Sequence, residues 1–127
     1  MKVIKTGRAP QPIGPYNQAI LTTGETSTLY ISGQIAINPE DGKFSGGSIE
    51  EQTTIVLKNL LAILEEAGMD YTNLVKTTIF LSDMTHFKPM NEVYFKALGN
   101  HFPARETVAV KGLPAGADVE ISGIAVK

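Results

Sequence analysis

Residues 48–68 read SIEEQTTIVLKNLLAILEEAG, and residues 73–82 read NLVKTTIFLS. The first stretch has a helical period. Thr53, Val56, Leu57, Leu60, Leu61, Leu64 and Ala67 fall on one broad stripe, while Glu50, Glu51, Lys58, Glu65 and Glu66 lie elsewhere. Ser48, with Glu51 three residues on, fits a capping box, and Gly68 after Ala67 fits a C-terminal stop. The second stretch alternates: Val75, Thr77, Ile79 and Leu81 share one face, and Lys76, Thr78 and Phe80 the other. An amphipathic helix followed at once by a half-buried strand predicts a helical layer lying on a sheet.

Working toward the C-terminus, Asp83 and Thr85 offer caps for a second helix running to about Leu98, with Pro89 tolerable in its first turn. Its stripe is Met90, Val93, Tyr94, Ala97 and Leu98, and Gly99-Asn100 ends it. Two β-type runs follow, Glu106 to Val110 and Val119 to Val126. Leu113-Pro114-Ala115-Gly116 is a turn between them, so the two runs are expected to form a hairpin. Working toward the N-terminus, Asn38 to Gly47 is a polar, glycine-rich loop without the Gly-Lys-Ser/Thr of a phosphate-binding loop. Thr28 to Ile37 and Asn17 to Thr22 read as strands joined by a turn over 23–27, and 7–15 is an irregular Pro/Gly loop. Lys2 to Lys5 is a short edge strand. In the strand after the turn Leu29, Ile31, Gly33 and Ile35 alternate with Tyr30, Ser32, Gln34 and Ala36, and Gly33 marks a bulge or a close approach of backbone to a neighbour or ligand.

The order is three strands, helix, strand, helix, two strands: an α+β domain spanning 1–127, with both helices on one face of a mixed sheet. No third layer is left to cover the other face, which predicts packing against another subunit. With 43% hydrophobic residues and a net charge of −2, the chain lacks the basic footprint of a nucleic-acid or anionic-membrane binder. It has no cysteine, which removes thiolate nucleophiles, disulfides and cysteine-held metal. No apolar run reaches the length of a membrane helix and no signal peptide is apparent, so a cytoplasmic location is expected.

The chemistry-bearing residues cluster late. Arg105 closely follows Pro103, and Glu120 sits in a run otherwise apolar except for Ser122. A carboxylate on a strand face needs a partner or a cavity. The Arg105/Glu120 pair is therefore either a structural ion pair or a site, and the expected hairpin would bring the two toward one end of the sheet. Asp118 shares the strand parity of Glu120 but stands beside the turn, where solvent is expected. His86 and His101 have no second ligand at metal spacing, and no Gly-x-Ser-x-Gly elbow is present. What survives is an arginine able to grip a carboxylate bidentately and a glutamate able to handle a proton or a water, which suits hydrolysis of a small planar anion.

Gly14-Pro15-Tyr16, Tyr30-Ile31-Ser32-Gly33-Gln34, Glu51-Gln52-Thr53 with Asn59-Leu60, Asn91-Glu92-Val93-Tyr94, Phe102-Pro103-Ala104-Arg105 and Val119-Glu120-Ile121 recur together in one known family. In these stretches the chain resembles RidA-type members of the Rid family of enamine/imine deaminases, also labelled YjgF or L-PSP endoribonuclease. The resemblance implies a chorismate-mutase-like fold assembled as a homotrimer, sheets inward and helices outward, with sites in clefts between subunits. It implies hydrolysis of 2-aminoacrylate and 2-aminocrotonate, released by pyridoxal-phosphate enzymes, to 2-keto acids and ammonia, with no cofactor and no metal. By position, Arg105 would bind the substrate carboxylate and Glu120 would activate water. The backbone at Gly33 and Thr107 would contact the ligand, with Tyr16, Ser32 and Asn91 shaping the pocket. Many relatives carry cysteine where Thr107 stands, so thiol-dependent roles are absent here. The rival readings are a small-carboxylate-binding regulatory module or holdase, and the family's older ribonuclease and translation-inhibitor label.

Overall fold

The computed structural model describes residues 1–6, 8, 11–12, 14–24 and 27–127. Positions 7, 9, 10 and 13 of the expected Pro/Gly loop, and 25 and 26 of the expected turn, lie outside the described residues. In chain order the elements are β1 (Lys2–Ile4), β2 (Ala19–Leu21), β3 (Thr28–Gln34), α1 (Ile49–Glu66), β4 (Leu74–Leu81), α2 (Phe87–Leu98), β5 (Ala104–Ala109) and β6 (Val119–Val126). This is the expected order. β1 and β2 pair antiparallel as a ribbon of their own, and the remaining strands form a four-stranded mixed sheet in the order β3-β6-β4-β5.

Local chemistry accounts for α1. Ser48 Oγ accepts from the Glu51 N–H at 3.1 Å and donates to the Glu51 carboxylate at 3.2 Å, and Gly68 follows the last turn with φ +70°. Ile49, Gln52, Thr53, Val56, Leu57, Leu60 and Leu64 are buried, whereas Ala67, placed on the stripe by its spacing, is exposed. α2 follows a short 3₁₀ turn, Met84–His86, whose first N–H groups are capped by Asp83: its carboxylate accepts from Thr85 N at 2.8 Å. That hydrogen bond holds the Asp83 carboxyl below its usual pKa. Met90, Tyr94 and Leu98 are buried on α2, and Ala97, expected beside them, is exposed.

Both helices pack on one face of the sheet. Val56, Leu57, Met90 and Tyr94 meet Ile79, Leu81, Val119 and Ile121 there, while Leu60 and Leu64 meet Ile31, Leu74 and Ala125 nearer β3. The opposite face carries Tyr30 at 76% exposure, with Lys76, Thr78, Phe80, Glu120, Ser122 and Ile124 between half-buried and open. No helix among the described residues is long and apolar enough to cross a membrane.

The expected hairpin of the last two strands does not form. β5 runs parallel to β4, with Thr77 opposite Arg105 and Ile79 opposite Thr107, whereas β6 pairs antiparallel with both β4 and β3. The cause is the crossover. α2 returns the chain to a strand parallel to β4, as a strand–helix–strand unit does, and residues 110–118 are too long for a tight hairpin loop. β2 likewise pairs with β1 rather than with β3. A second correction concerns β3. Ile31 lies opposite Gly123 but Gln34 lies opposite Ile121, so two residues, Ser32 and Gly33, face the single Ser122. The bulge takes Gly33 off the buried face that simple alternation assigns it, and Ala36 is fully buried instead.

Candidate functional site

Arg105 is built into place by three segments. The Asn17 N–H donates to Pro103 O at 3.1 Å and its side-chain amide donates to Phe102 O, which ties residues 14–17 against the start of β5. Tyr16 thereby lies with its ring centroid 5.5 Å from the Arg105 guanidinium carbon. On α2, Phe87, Asn91 and Tyr94 stand at i, i+4 and i+7, so one helix face presents all three. The Phe87 and Tyr94 rings lie 5.8 and 5.1 Å from the same carbon, and Arg105 Nη1 donates to Asn91 Oδ1 at 2.7 Å. Tyr94 is fully buried, its hydroxyl 2.8 Å from Thr77 Oγ1 on β4.

The electrostatics follow from this packing. Arg105 has no acidic partner among the described residues; its contacts are an amide oxygen and aromatic faces. Burial pushes the guanidinium pKa below its usual value, with Tyr94 and Tyr16 opposing that shift, and the group stays cationic at neutral pH. Burial pushes the Tyr94 phenol up to about 12. Two residues on, Thr107 shares the Arg105 face of β5, and its buried hydroxyl has no hydrogen-bond partner among the described residues. The side chain between them points the other way: Glu106 pairs with Lys76 at 3.3 Å. Gly14 and Asn91, which flank the guanidinium, also line a cavity of about 360 Å³ with Pro15, Glu92, Phe95 and Lys96.

Glu120 stands elsewhere. It lies opposite Phe80 on β4, and Phe80 belongs to the face away from the helices. A Cβ placed on Gly33 would fall 2.7 Å from Glu120 Cδ, so the β3 bulge and this carboxyl are in contact. The carboxylate has no hydrogen-bond or ion-pair partner among the described residues. Ser32, next along the bulge, lines a shallow cavity of about 280 Å³ on the same face with Tyr30, Lys76, Thr78 and Ser122.

The sequence-predicted residues thus form two groups. Tyr16, Asn91, Arg105 and Thr107 gather on the helix side of β5; Ser32, Gly33 and Glu120 gather on the open side of β3 and β6. Within one chain Arg105 and Glu120 occupy opposite faces of the sheet, so the expectation that a hairpin brings them together is not met. The reason is register: Thr77, opposite Arg105, and Phe80, opposite Glu120, have opposite parity on β4. Sequence reasoning missed Phe87 and Tyr94 as walls of the Arg105 niche, although their spacing from Asn91 was the signal. Asp118, expected in solvent, is tied down. It accepts from Gln52 Nε2 at 2.9 Å and Ser82 Oγ at 2.8 Å, and its N–H donates to Gln52 Oε1 at 3.0 Å. His86 approaches the same carboxylate at 3.7 Å, and His101 Nε2 lies 3.0 Å from Leu74 O.

Residues 6–127 match the family model described as Endoribonuclease L-PSP. A RutC family protein of Aquifex aeolicus is 51% identical over 130 residues, covering all of both chains. The human 2-iminobutanoate/2-iminopropanoate deaminase is 43% identical over 126 residues, covering 99% of this chain and 90% of the human protein. Among solved structures, a Rid family protein of unknown function from Yersinia pestis superposes with a TM-score of 0.77 at 46% identity, covering 99% and 98% of the two chains. TdcF of E. coli with bound serine superposes with a TM-score of 0.74 at 35% identity, covering 100% and 99%. A family model that matches nearly the whole chain, and relatives this similar over their full length, show that the chain belongs to the Rid (L-PSP) family.

Proposed function

We propose that this chain is an enamine/imine deaminase, hydrolysing the imine tautomers of 2-aminoacrylate and 2-aminocrotonate to 2-keto acids and ammonia without cofactor or metal. One observation carries the reading. Arg105 is a cation half removed from water, oriented by Asn91 and walled by aromatic rings, with no acid beside it among the described residues. Such a group calls for an anion from outside, and its planar fork fits a carboxylate. The activity named for the human relative is the same chemistry, and the serine bound to TdcF is a small amino acid with a carboxylate.

In this reading Arg105 holds the substrate carboxylate and presents the imine carbon to water. Glu120 takes a proton from that water as its oxygen bonds to the imine carbon and the C=N π pair passes to nitrogen. Glu120 returns that proton to the nitrogen, which completes the carbinolamine. It then takes the hydroxyl proton as the C=O bond forms and passes it to the amine, and the C–N bond breaks with its electron pair leaving on ammonia. Because the two groups lie on opposite sheet faces of one chain, the Glu120 that serves a given Arg105 comes from a neighbouring subunit, in a homotrimer with sites between protomers. Tyr16 and Asn91 shape the Arg105 side, while Ser32 and Gly33 shape the Glu120 side. Thr107 lies beside Arg105, where its amide or hydroxyl can meet the ligand.

The test is ammonia release from freshly generated 2-aminoacrylate. Arg105→Ala removes two charge-assisted hydrogen bonds and should lower kcat/KM by about a hundredfold or more; near-normal rates would end the proposal. The serine-bound relative also favours a second reading, a sensor that binds small carboxylates without turnover. Glu120→Gln separates the two. A deaminase should lose kcat and keep ligand affinity, whereas for a sensor there is no wild-type turnover to lose.

A further inference from the structure

We propose that Gly33 is the positioning residue for Glu120: the β3 bulge and the missing side chain together form the seat of that carboxyl. The inference rests on the reading that makes Glu120 the proton acceptor. The first support is conformational. Glycines with left-handed backbone occur at 24, 42, 47, 68, 99 and 116, and Gly33 is not among them. Its φ lies outside the left-handed range that favours glycine, so a positive φ does not account for a glycine there.

The second support is what a side chain would meet. A Cβ at position 33 falls 2.7 Å from Glu120 Cδ, 2.8 Å from Oε1 and 3.0 Å from Cγ, and these are its three nearest atoms. Gly123 provides the contrast within the same sheet: its Cβ would meet the core side chain of Leu74 and the Lys76 carbonyl, as a packing glycine does. The third support is the bulge. By placing both Ser32 and Gly33 opposite Ser122, it brings Gly33 onto the face that Glu120 occupies. Phe80 stands opposite Glu120 on β4, and no hydrogen bond to a described residue fixes the carboxylate. Its position is therefore set by steric shape, between Phe80 on one side and the bare Gly33 backbone on the other.

Glu120 is flexible at its far end, so an added methyl displaces the carboxyl instead of unfolding the strand. Gly33→Ala should keep the melting temperature of the wild type or raise it slightly, since alanine restricts the unfolded chain. In the 2-aminoacrylate assay it should lower kcat by about ten- to hundredfold while KM changes less than about twofold. Glu120→Asp shortens the side chain and withdraws it from the clash. Gly33→Ala should therefore cost Glu120→Asp no further activity, a non-additive cycle that a general structural role would not produce. A crystal structure of Gly33→Ala should show the Glu120 carboxyl displaced by about 1 Å or more. The proposal is overturned if Gly33→Ala leaves the carboxyl in place, keeps wild-type kcat, multiplies the Glu120→Asp loss, or fails to fold. If the wild type releases no ammonia while the carboxyl still moves in the variant, the deaminase reading fails and the seat stands.

Discussion

Arg105 concentrates the argument at the scale of single residues. Removing a guanidinium from water is costly unless something compensates, and the compensation here is aromatic faces and one amide oxygen. Neither neutralises the charge. Asn91 supplies orientation, because its Oδ1 takes Nη1, and no other hydrogen bond from the guanidinium to a described residue is present. Asn91→Asp changes that balance with almost no change of shape: a carboxylate 2.7 Å from Nη1 would neutralise the cation from within. The expected outcome is a KM raised about tenfold or more in the ammonia-release assay, with folding intact. An unchanged KM would mean that substrate does not bind through this guanidinium. Thr107 makes the same point from the other direction, since a buried hydroxyl without a partner among the described residues is one a native structure rarely leaves alone.

At the scale of elements, the niche depends on α2 being fastened to β4, and the fastening is the Tyr94–Thr77 hydroxyl pair in a fully buried setting. Burial raises the Tyr94 phenol from 10.0 to about 12, so the folded state keeps a proton that the unfolded chain releases above pH ~10. The stability that this neutral phenol supplies is whole below pH ~10 and is lost as pH rises through about 12. Tyr71, also raised to about 12 by burial, adds to the same alkaline decline. Tyr94→Phe should cost about 1–3 kcal/mol at neutral pH by leaving Thr77 unpaired, yet flatten the decline between about pH 9 and pH 12. Urea midpoints across that range check it, and parallel curves for variant and wild type would refute it. Which elements were legible in the sequence follows from what is local. α1 could be read from its stripe, Ser48 and Gly68, and the parity of Thr77, Ile79 and Leu81 on β4 from alternation, because a few neighbouring residues decide each. Arg105 and Glu120 could be picked out by residue type. Their separation could not, since it depends on β4 lying between β5 and β6, a pairing made across the whole chain. The bulge at Ser32–Gly33 was equally hidden, as one extra residue reverses the parity on which the reading relied.

For the whole molecule, the proposed function makes one chain half a site twice over: Arg105 on one face of the sheet and Glu120 on the other. The open sheet face, with Tyr30 at 76% exposure, and the free outer edge of β3 among the described residues are where a second copy would join them. This predicts complementation. Arg105→Ala and Glu120→Ala chains, each inactive alone, are mixed in equal amounts, unfolded together and refolded. A site made from Arg105 of one chain and Glu120 of the next is then intact wherever a Glu120→Ala chain meets an Arg105→Ala neighbour in the right order. Random assembly makes about a quarter of the sites wild type, so activity should return to about a quarter of the wild-type value. The same two proteins mixed without unfolding should stay inactive unless their subunits exchange. A site contained within one protomer can never be repaired this way, because every chain in the mixture carries a lesion. Failure to recover activity, with the oligomer re-formed, would therefore remove the shared site and leave two faces of a sheet whose residues do not act together.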